Sequence, residues 1–263
     1  MSASFGNPLA ALLALSLSAL QTPVGASATA SGSSRPVVVE LFTSQGCSSG
    51  PPADRLLAAL GAAGEGSIIP LAFHVDSWNH IGWTDPFSSA EWTRRQAQYV
   101  RKLKAKGPYT PQAVVDGAVA LLGSDEKAIR ASIDAAAARP AGVIALALDE
   151  HDAALAVRAD VLLPDALRGR GLDLMVAIFE TGLVTPVKRG ENGGRTLRNE
   201  YVVRRFRRFA RLEADGSERT QHRVELKLAE SWQRSEVGVA VFLQDPRSLE
   251  IRGAQSQWLI ARR

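Results

Sequence analysis

Cys47 is the only cysteine among 263 residues, and its neighbours indicate where its sulfur lies. It falls in Gly46-Cys47-Ser48-Ser49-Gly50-Pro51-Pro52, just after the apolar run Val37-Val38-Val39-Glu40-Leu41-Phe42. The prolines lack backbone N–H groups and suit the first turn of a helix, where those donors have no intrahelical partner. A sulfur beside a helix N-terminus meets unpaired N–H groups and the positive end of the dipole, which favour the reactive thiolate. Asp54, in the first helical turn, works against this by adding negative charge. The competing reading is a small buried side chain kept for packing.

A lone cysteine excludes any intramolecular disulfide and leaves a free thiol, an intermolecular disulfide or a small-molecule adduct. Dithiol exchange runs through a mixed disulfide that a second thiol resolves. Ser48 and Ser49 can donate hydrogen bonds to the sulfur, but neither can resolve such an adduct. Three outcomes stay open: a monothiol served by an external thiol, a site that holds a partner's cysteine, or a redox-dead groove.

Other chemistry is thinner. His74, Asp76 and His80 could join the thiolate around copper or zinc, against the simpler reading of a structural His74. No metal is assigned. Trp78, Trp83 and Phe87 serve as packing over a loop or as one wall of a substrate groove. The chain has no glycine-rich phosphate loop and no Ser-His-Asp arrangement of recognisable spacing, so no cofactor is expected.

The elements that position Cys47 follow an α/β rhythm. The valine run and residues 68–75 read as strands covered on both faces, and Leu56, Leu57 and Leu60 share one face of the helix between them. A second helix begins at Ser88 or Ser89 and ends near Leu103 in a basic turn that suits the helix dipole. Tyr109-Thr110-Pro111-Gln112-Ala113-Val114-Val115-Asp116-Gly117 then enters a strand through proline and leaves by an Asp-Gly hairpin turn. An alanine-rich helix over 125–138 closes the order β-α-β-α-β-β-α.

Strand, Cys-Ser-Ser-Gly-Pro and helix together resemble the thioredoxin fold, whose usual motif has cysteines at positions 47 and 50. More closely, the chain resembles a bacterial secreted thioredoxin-like family catalogued as domain of unknown function 1223. Four segments carry the likeness: Glu40-Leu41-Phe42-Thr43-Ser44-Gln45-Gly46-Cys47; His74-Val75-Asp76 with Trp78 and Gly82-Trp83-Thr84-Asp85-Pro86-Phe87; Tyr109-Thr110-Pro111-Gln112 with Val115-Asp116-Gly117; and Arg189-Gly190-Glu191-Asn192. Gly50 stands where that family usually has its second cysteine. The resemblance implies a cis Thr110–Pro111 bond opposite Cys47, whereas the residues alone allow a trans proline at a strand entry. It also implies that Thr110 and Pro111, with Trp78 as a wall, bind substrate. By location it implies that Glu40 is a buried acid relaying protons, against an exposed glutamate at a strand end.

From Gly142 the pattern changes. Residues 143–148, 153–161, 172–179, 223–228 and 237–243 read as short alternating strands, which suits an all-β sandwich. Residues 188–195 are a loop without apolar periodicity, and Arg204-Arg205-Phe206-Arg207-Arg208 reads as a strand edge guarded by charge or an anionic-partner site. A formal charge of +4, with 46% hydrophobic and 22% charged residues, describes an ordinary folded protein without a nucleic-acid pattern. Residues 9–20 are apolar but short for a bilayer, and small-x-small sites follow, so residues 1–30 read as a signal peptide.

The expectation is therefore a periplasmic or secreted chain: signal peptide 1–30, an α/β thioredoxin-like domain over 36–140, then an all-β sandwich domain over 141–263. Its expected role is to engage cysteine-containing proteins or low-molecular-weight thiols through Cys47 as a monothiol. The alternatives are a redox-inactive binding or assembly module of the cell envelope and, more remotely, a copper or zinc protein. No nucleic-acid partner and no stable membrane span are expected.

Overall fold

The structure, a computed structural model, describes residues 1–2, 35–64, 66–152, 154–213 and 218–260. All but the first two residues of the expected signal peptide lie outside that set. The first half runs β1 (Val37–Thr43), α1 (Gly50–Ala63), β2 (Ile68–His74), a short 3-10 turn over Asp76–Ile81, α2 (Ala90–Lys102), β3 (Gln112–Val115), β4 (Val119–Leu122) and α3 (Glu126–Ala137). This is the β-α-β-α-β-β-α order read from the sequence. The second half is β5 (Val143–His151), β6 (Ala154–Leu162), β7 (Leu172–Glu180), β8 (Leu183–Pro186), β9 (Thr196–Asn199), β10 (Val202–Leu212), β11 (Arg219–Lys227), β12 (Val237–Gln244) and β13 (Ile251–Trp258).

β1 is buried along its whole length because both its faces are covered. Side chains alternate across a strand, and here the two sets meet different layers. Val37, Val39 and Leu41 pack with Leu57 and Leu60 of α1 and Ile129 and Ile133 of α3. Val38 and Phe42 face the other way, toward Trp92 and Tyr99 of α2. β1 pairs in parallel with β2, Thr43 opposite His74, and antiparallel with β3 on its other side. The β3–β4 turn has positive φ at both Asp116 (48°) and Gly117 (63°). A Cβ on Gly117 would come within 1.9 Å of the Leu249 carbonyl oxygen, so only glycine fits.

The fold is mixed α/β around a large sheet. Eight strands join in the order β13-β12-β7-β10-β2-β1-β3-β4. The seam between the two halves is the parallel bridge of Val202 to Ala72. The apolar layer under α2 crosses that seam, since Phe179, Val203, Ala240 and Phe242 belong to it with Phe42, Phe73 and Trp92. On the opposite face of the second half, the three-stranded antiparallel sheet β11-β6-β5 packs on β7 and β12 through Leu155, Val157, Val176, Val239 and Val241.

The boundary read at residues 140–141 thus marks a change of sequence pattern inside one compact unit, Ser33–Arg263. Shared burial under α2 is the physical reason. Among the described residues, no helix is long and apolar enough to cross a membrane.

Candidate functional site

Cys47 occupies the turn between β1 and α1. Its N–H donates to the Ser44 carbonyl at 3.1 Å, and its own carbonyl accepts from the Gly50 N–H at 3.1 Å. Ser49 is the helix N-cap but makes no side-chain capping bond, and Gly50, Pro51 and Pro52 form the first turn. The Ser49 hydroxyl turns instead to the sulfur, with Oγ and Sγ 3.1 Å apart. Cys47 is 2% exposed. Its Sγ also lies 3.8 Å from the Thr110 carbonyl oxygen, to which the Ser49 hydroxyl donates at 3.4 Å.

The Thr110–Pro111 peptide bond is cis. The structure therefore brings Thr110 to Cys47, from residues far apart in sequence, and Pro111 is buried at the start of β3. Trp78 lies on the other flank of the loop: a Cβ added at Gly46 would stand 3.1 Å from the Trp78 Cβ. Trp78 is half-buried against the layer under α2.

The loop ahead of Cys47 is fastened from several directions. Asp85 accepts the Gln45 N–H at 2.8 Å. The Gln45 side chain donates to Asn199 Oδ1 at 2.8 Å and accepts from Trp83 Nε1 at 3.1 Å. Asn192, fully buried, donates from Nδ2 to the carbonyls of both Gln45 and Cys47 at 2.9 Å. The Ser48 N–H donates to Glu191 Oε2 at 2.8 Å, and that bond holds the exposed Glu191 carboxyl below its ordinary range. The patternless loop of the second half is thus the latch on the Cys47 turn.

Beneath the start of α1 lies a buried polar group. His74 Nδ1 and Asp85 Oδ2 are 2.7 Å apart, and both residues are almost wholly buried. Burial alone would depress His74, but the Asp85 carboxylate outweighs it and raises the imidazole above its ordinary value. Burial likewise works to raise Asp85, yet His74 and the N–H groups of Gln45 and Phe87 hold it below the usual carboxylate range. Asp54, which half-faces this group, is pushed up to about 6 by burial, against the opposing pull of His74 and the Thr43 hydroxyl. His74 Nε2 is buried without a hydrogen-bond partner among the described residues.

Glu40 is a buried acid, as the resemblance implied, but it points under α2. Its oxygens accept from Arg95 Nε at 2.5 Å and Nη2 at 2.9 Å, and from the Tyr99 hydroxyl at 2.5 Å. The acid that borders the Cys47 turn is Asp54: a Cβ at Gly50 would stand 3.8 Å from Asp54 Oδ2 and 3.1 Å from Thr43 Oγ1. Helical spacing carries that signal, since Asp54 follows Gly50 by four residues and so shares its side of α1. Asp85, Asn192 and Gln45 were missed as individuals. They sit in segments that carried the likeness, yet nothing local shows an Asn in one loop reaching carbonyls in another.

All four of those segments converge here, from Gln45 and Cys47, His74 and Asp85, and Thr110 and Pro111 to Glu191 and Asn192. A family model described as "Protein of unknown function (DUF1223)" matches residues 38–244, which contain every one of them. The chain belongs to that family. Two solved structures are similar to this DUF1223 chain. A crystallised Agrobacterium tumefaciens protein is 28% identical, with a TM-score of 0.69 over 88% of this chain and 97% of that one. HBP35 of Porphyromonas gingivalis is 16% identical, with a TM-score of 0.61 over 86% and 75%, a likeness of fold alone. No curated protein matches this DUF1223 sequence.

Proposed function

We propose that this chain is an exported thioredoxin-like thiol protein that works through Cys47 as a monothiol. The observation that carries the reading is the Cys47 sulfur at the entry to α1, 3.8 Å from the carbonyl of the residue before a cis proline. The β-α-β-α-β-β-α half, with strand order β2-β1-β3-β4, supports a thioredoxin-like reading. The packing of β5, β6 and β11 on β7 and β12 supports reading the rest as a sandwich built onto the same sheet.

In the proposed reaction the Cys47 thiolate attacks one sulfur of a partner's or small molecule's disulfide. A Cys47 mixed disulfide forms, the original S–S bond breaks, and the other sulfur leaves as a thiolate. An external thiol then attacks the partner's sulfur in the mixed disulfide, yielding a new external disulfide and restoring the Cys47 thiolate. No second protein thiol is used. The competing reading, a redox-inactive envelope module, draws on the 2% exposure of Cys47 under Ser49 and Thr110.

Intact mass after exposure to oxidised glutathione separates the two. A redox site gives one glutathione adduct, absent from Cys47→Ser and removed by added thiol. A Gly50→Cys variant should additionally gain dithiol turnover. If the native chain takes no adduct and the variant no turnover, the thiol reading fails and the groove is a binding surface.

A further inference from the structure

Away from Cys47, α2 and β10 enclose a cleft of about 620 Å³, within the range of small-molecule sites. None of the residues that touch Cys47 lines it. Arg94, Arg101 and Lys102 reach it from α2, and Arg207 and Arg208 from β10. Two acids also line it, Glu91 and Asp173. Asp173 is occupied by Arg208 at 3.3 Å and by Arg211 at 3.0 Å. Arg94, Arg101, Lys102 and Arg207 make no ion pair among the described residues, so four cations face the single remaining carboxylate of Glu91.

The floor is different in kind. Met175, Phe206 and Leu249 supply apolar surface, and the Arg95 guanidinium lies 4.3 Å over the Phe206 ring. Arg95 is itself neutralised by Glu40, so the uncompensated positive charge belongs to the rim. The cleft exists because β10 joins β2 only at Val202 and then departs from it beside α2. Arginines that merely guarded an open strand edge would be answered by solvent. Here they are answered across a cavity by a second basic element.

We propose that this cleft binds a small organic polyanion, an apolar frame carrying two or more phosphate, sulfonate or carboxylate groups. The frame would rest on Phe206 and Met175, with the anionic groups between the α2 and β10 cations. Convergent arginine and lysine donors favour such groups by charge-assisted hydrogen bonding.

The test uses the full chain and pyranine, a fluorescent pyrene bearing three sulfonates, followed by anisotropy at physiological ionic strength. Saturable one-site binding is expected, weakened about tenfold or more in Arg101→Glu/Arg207→Glu. A second pair, Arg158→Glu/Arg219→Glu, reverses the same charge on the outer three-stranded sheet and should stay within about twofold of the parent. All of these side chains are exposed, and circular dichroism checks that both variants fold. Displacement by inositol hexakisphosphate alone identifies a free solute, and displacement by phosphatidylglycerol vesicles as well identifies a lipid headgroup. Absence of saturable binding, or equal loss in the two pairs, overturns the proposal.

Discussion

Single residues decide how much of the Cys47 neighbourhood is charged. Asp54 is the clearest case, because its carboxyl is pushed up to about 6 from an ordinary 3.8 by burial. Between those values the folded chain holds a proton that the unfolded chain has released. Stability contributed through Asp54 is therefore present at low pH and falls as pH rises through that window. His74 has the same sign in a higher window: its stabilisation is complete below about 6.5 and is lost as pH climbs through its raised folded value. Asp85 has the opposite sign, being depressed, and loses its contribution as pH falls through its folded value. Asp54→Asn keeps the shape and removes the buried charge. It should raise unfolding stability by about 1–3 kcal/mol at pH 8 and change it little at pH 4, read from urea midpoints at the two pH values. An equal effect at both would show that Asp54 is not the group that titrates. The Cys47 turn was legible because its motif spacing is a local signal, whereas the cis Thr110–Pro111 bond followed only from the family resemblance. Asp54 beside the turn was legible from helical spacing. The turning of Glu40 toward Arg95 and Tyr99 was not, since the facing of a strand residue depends on which helix covers which side.

Elements explain why the turn is held so tightly. The β1–α1 loop runs beyond the paired part of β1, and its own turn bonds meet only the Ser44 and Cys47 carbonyls, so further donors must come from side chains elsewhere. Asn192 meets two of them from the segment between β8 and β9, and Arg195 Nη1 donates to Asn192 Oδ1 at 3.1 Å to fix the amide. Asn192→Ala removes the side-chain donor from the buried Gln45 carbonyl and leaves the Cys47 carbonyl with the Gly50 N–H alone. A loss of about 1–3 kcal/mol is expected, together with faster iodoacetamide labelling of Cys47 in the folded protein. Labelling at the parent rate would show that Asp85 and Asn199 suffice to hold the turn. In the second half β5, β6, β7, β11 and β12 were legible from alternation, whereas β8, β9 and β13 were not read. The arginine run lies on β10, which joins β2 only at Val202. What the alternation concealed is the role of residues 188–195. Backbone carbonyls that need a donor leave no trace in a hydrophobic pattern.

Across the whole molecule, the two sequence patterns fold as one body, and this has a thermodynamic consequence. Without the second half β2 would lose its Ala72–Val202 bridge, and the apolar face of Phe42, Phe73 and Trp92 would lose Phe179, Val203, Phe242 and Ile251. The buried Glu40–Arg95–Tyr99 cluster reaches Gln244 of β12, whose amide donates to the Tyr99 hydroxyl at 3.1 Å and to the Leu249 carbonyl at 2.7 Å. The Asp116 turn is likewise bonded to the second half, through its carbonyl to the Ile251 N–H at 2.8 Å. Apart from the Gln244–Leu249 bond, each of these contacts crosses the junction that composition marks at 140–141. A sequence reader sees the change from α/β to all-β and infers two cores, because periodicity reports which faces are apolar and not which faces meet. Calorimetry of residues 33–263 should accordingly show one transition with equal calorimetric and van't Hoff enthalpies. Residues 36–140 alone should show no cooperative transition, since burying a lone charged pair without Gln244 and baring an aromatic face both disfavour the fold. Two resolved transitions, or a cooperative 36–140 fragment, would mean that the shared layer under α2 contributes little and that the halves are held together by the sheet seam alone.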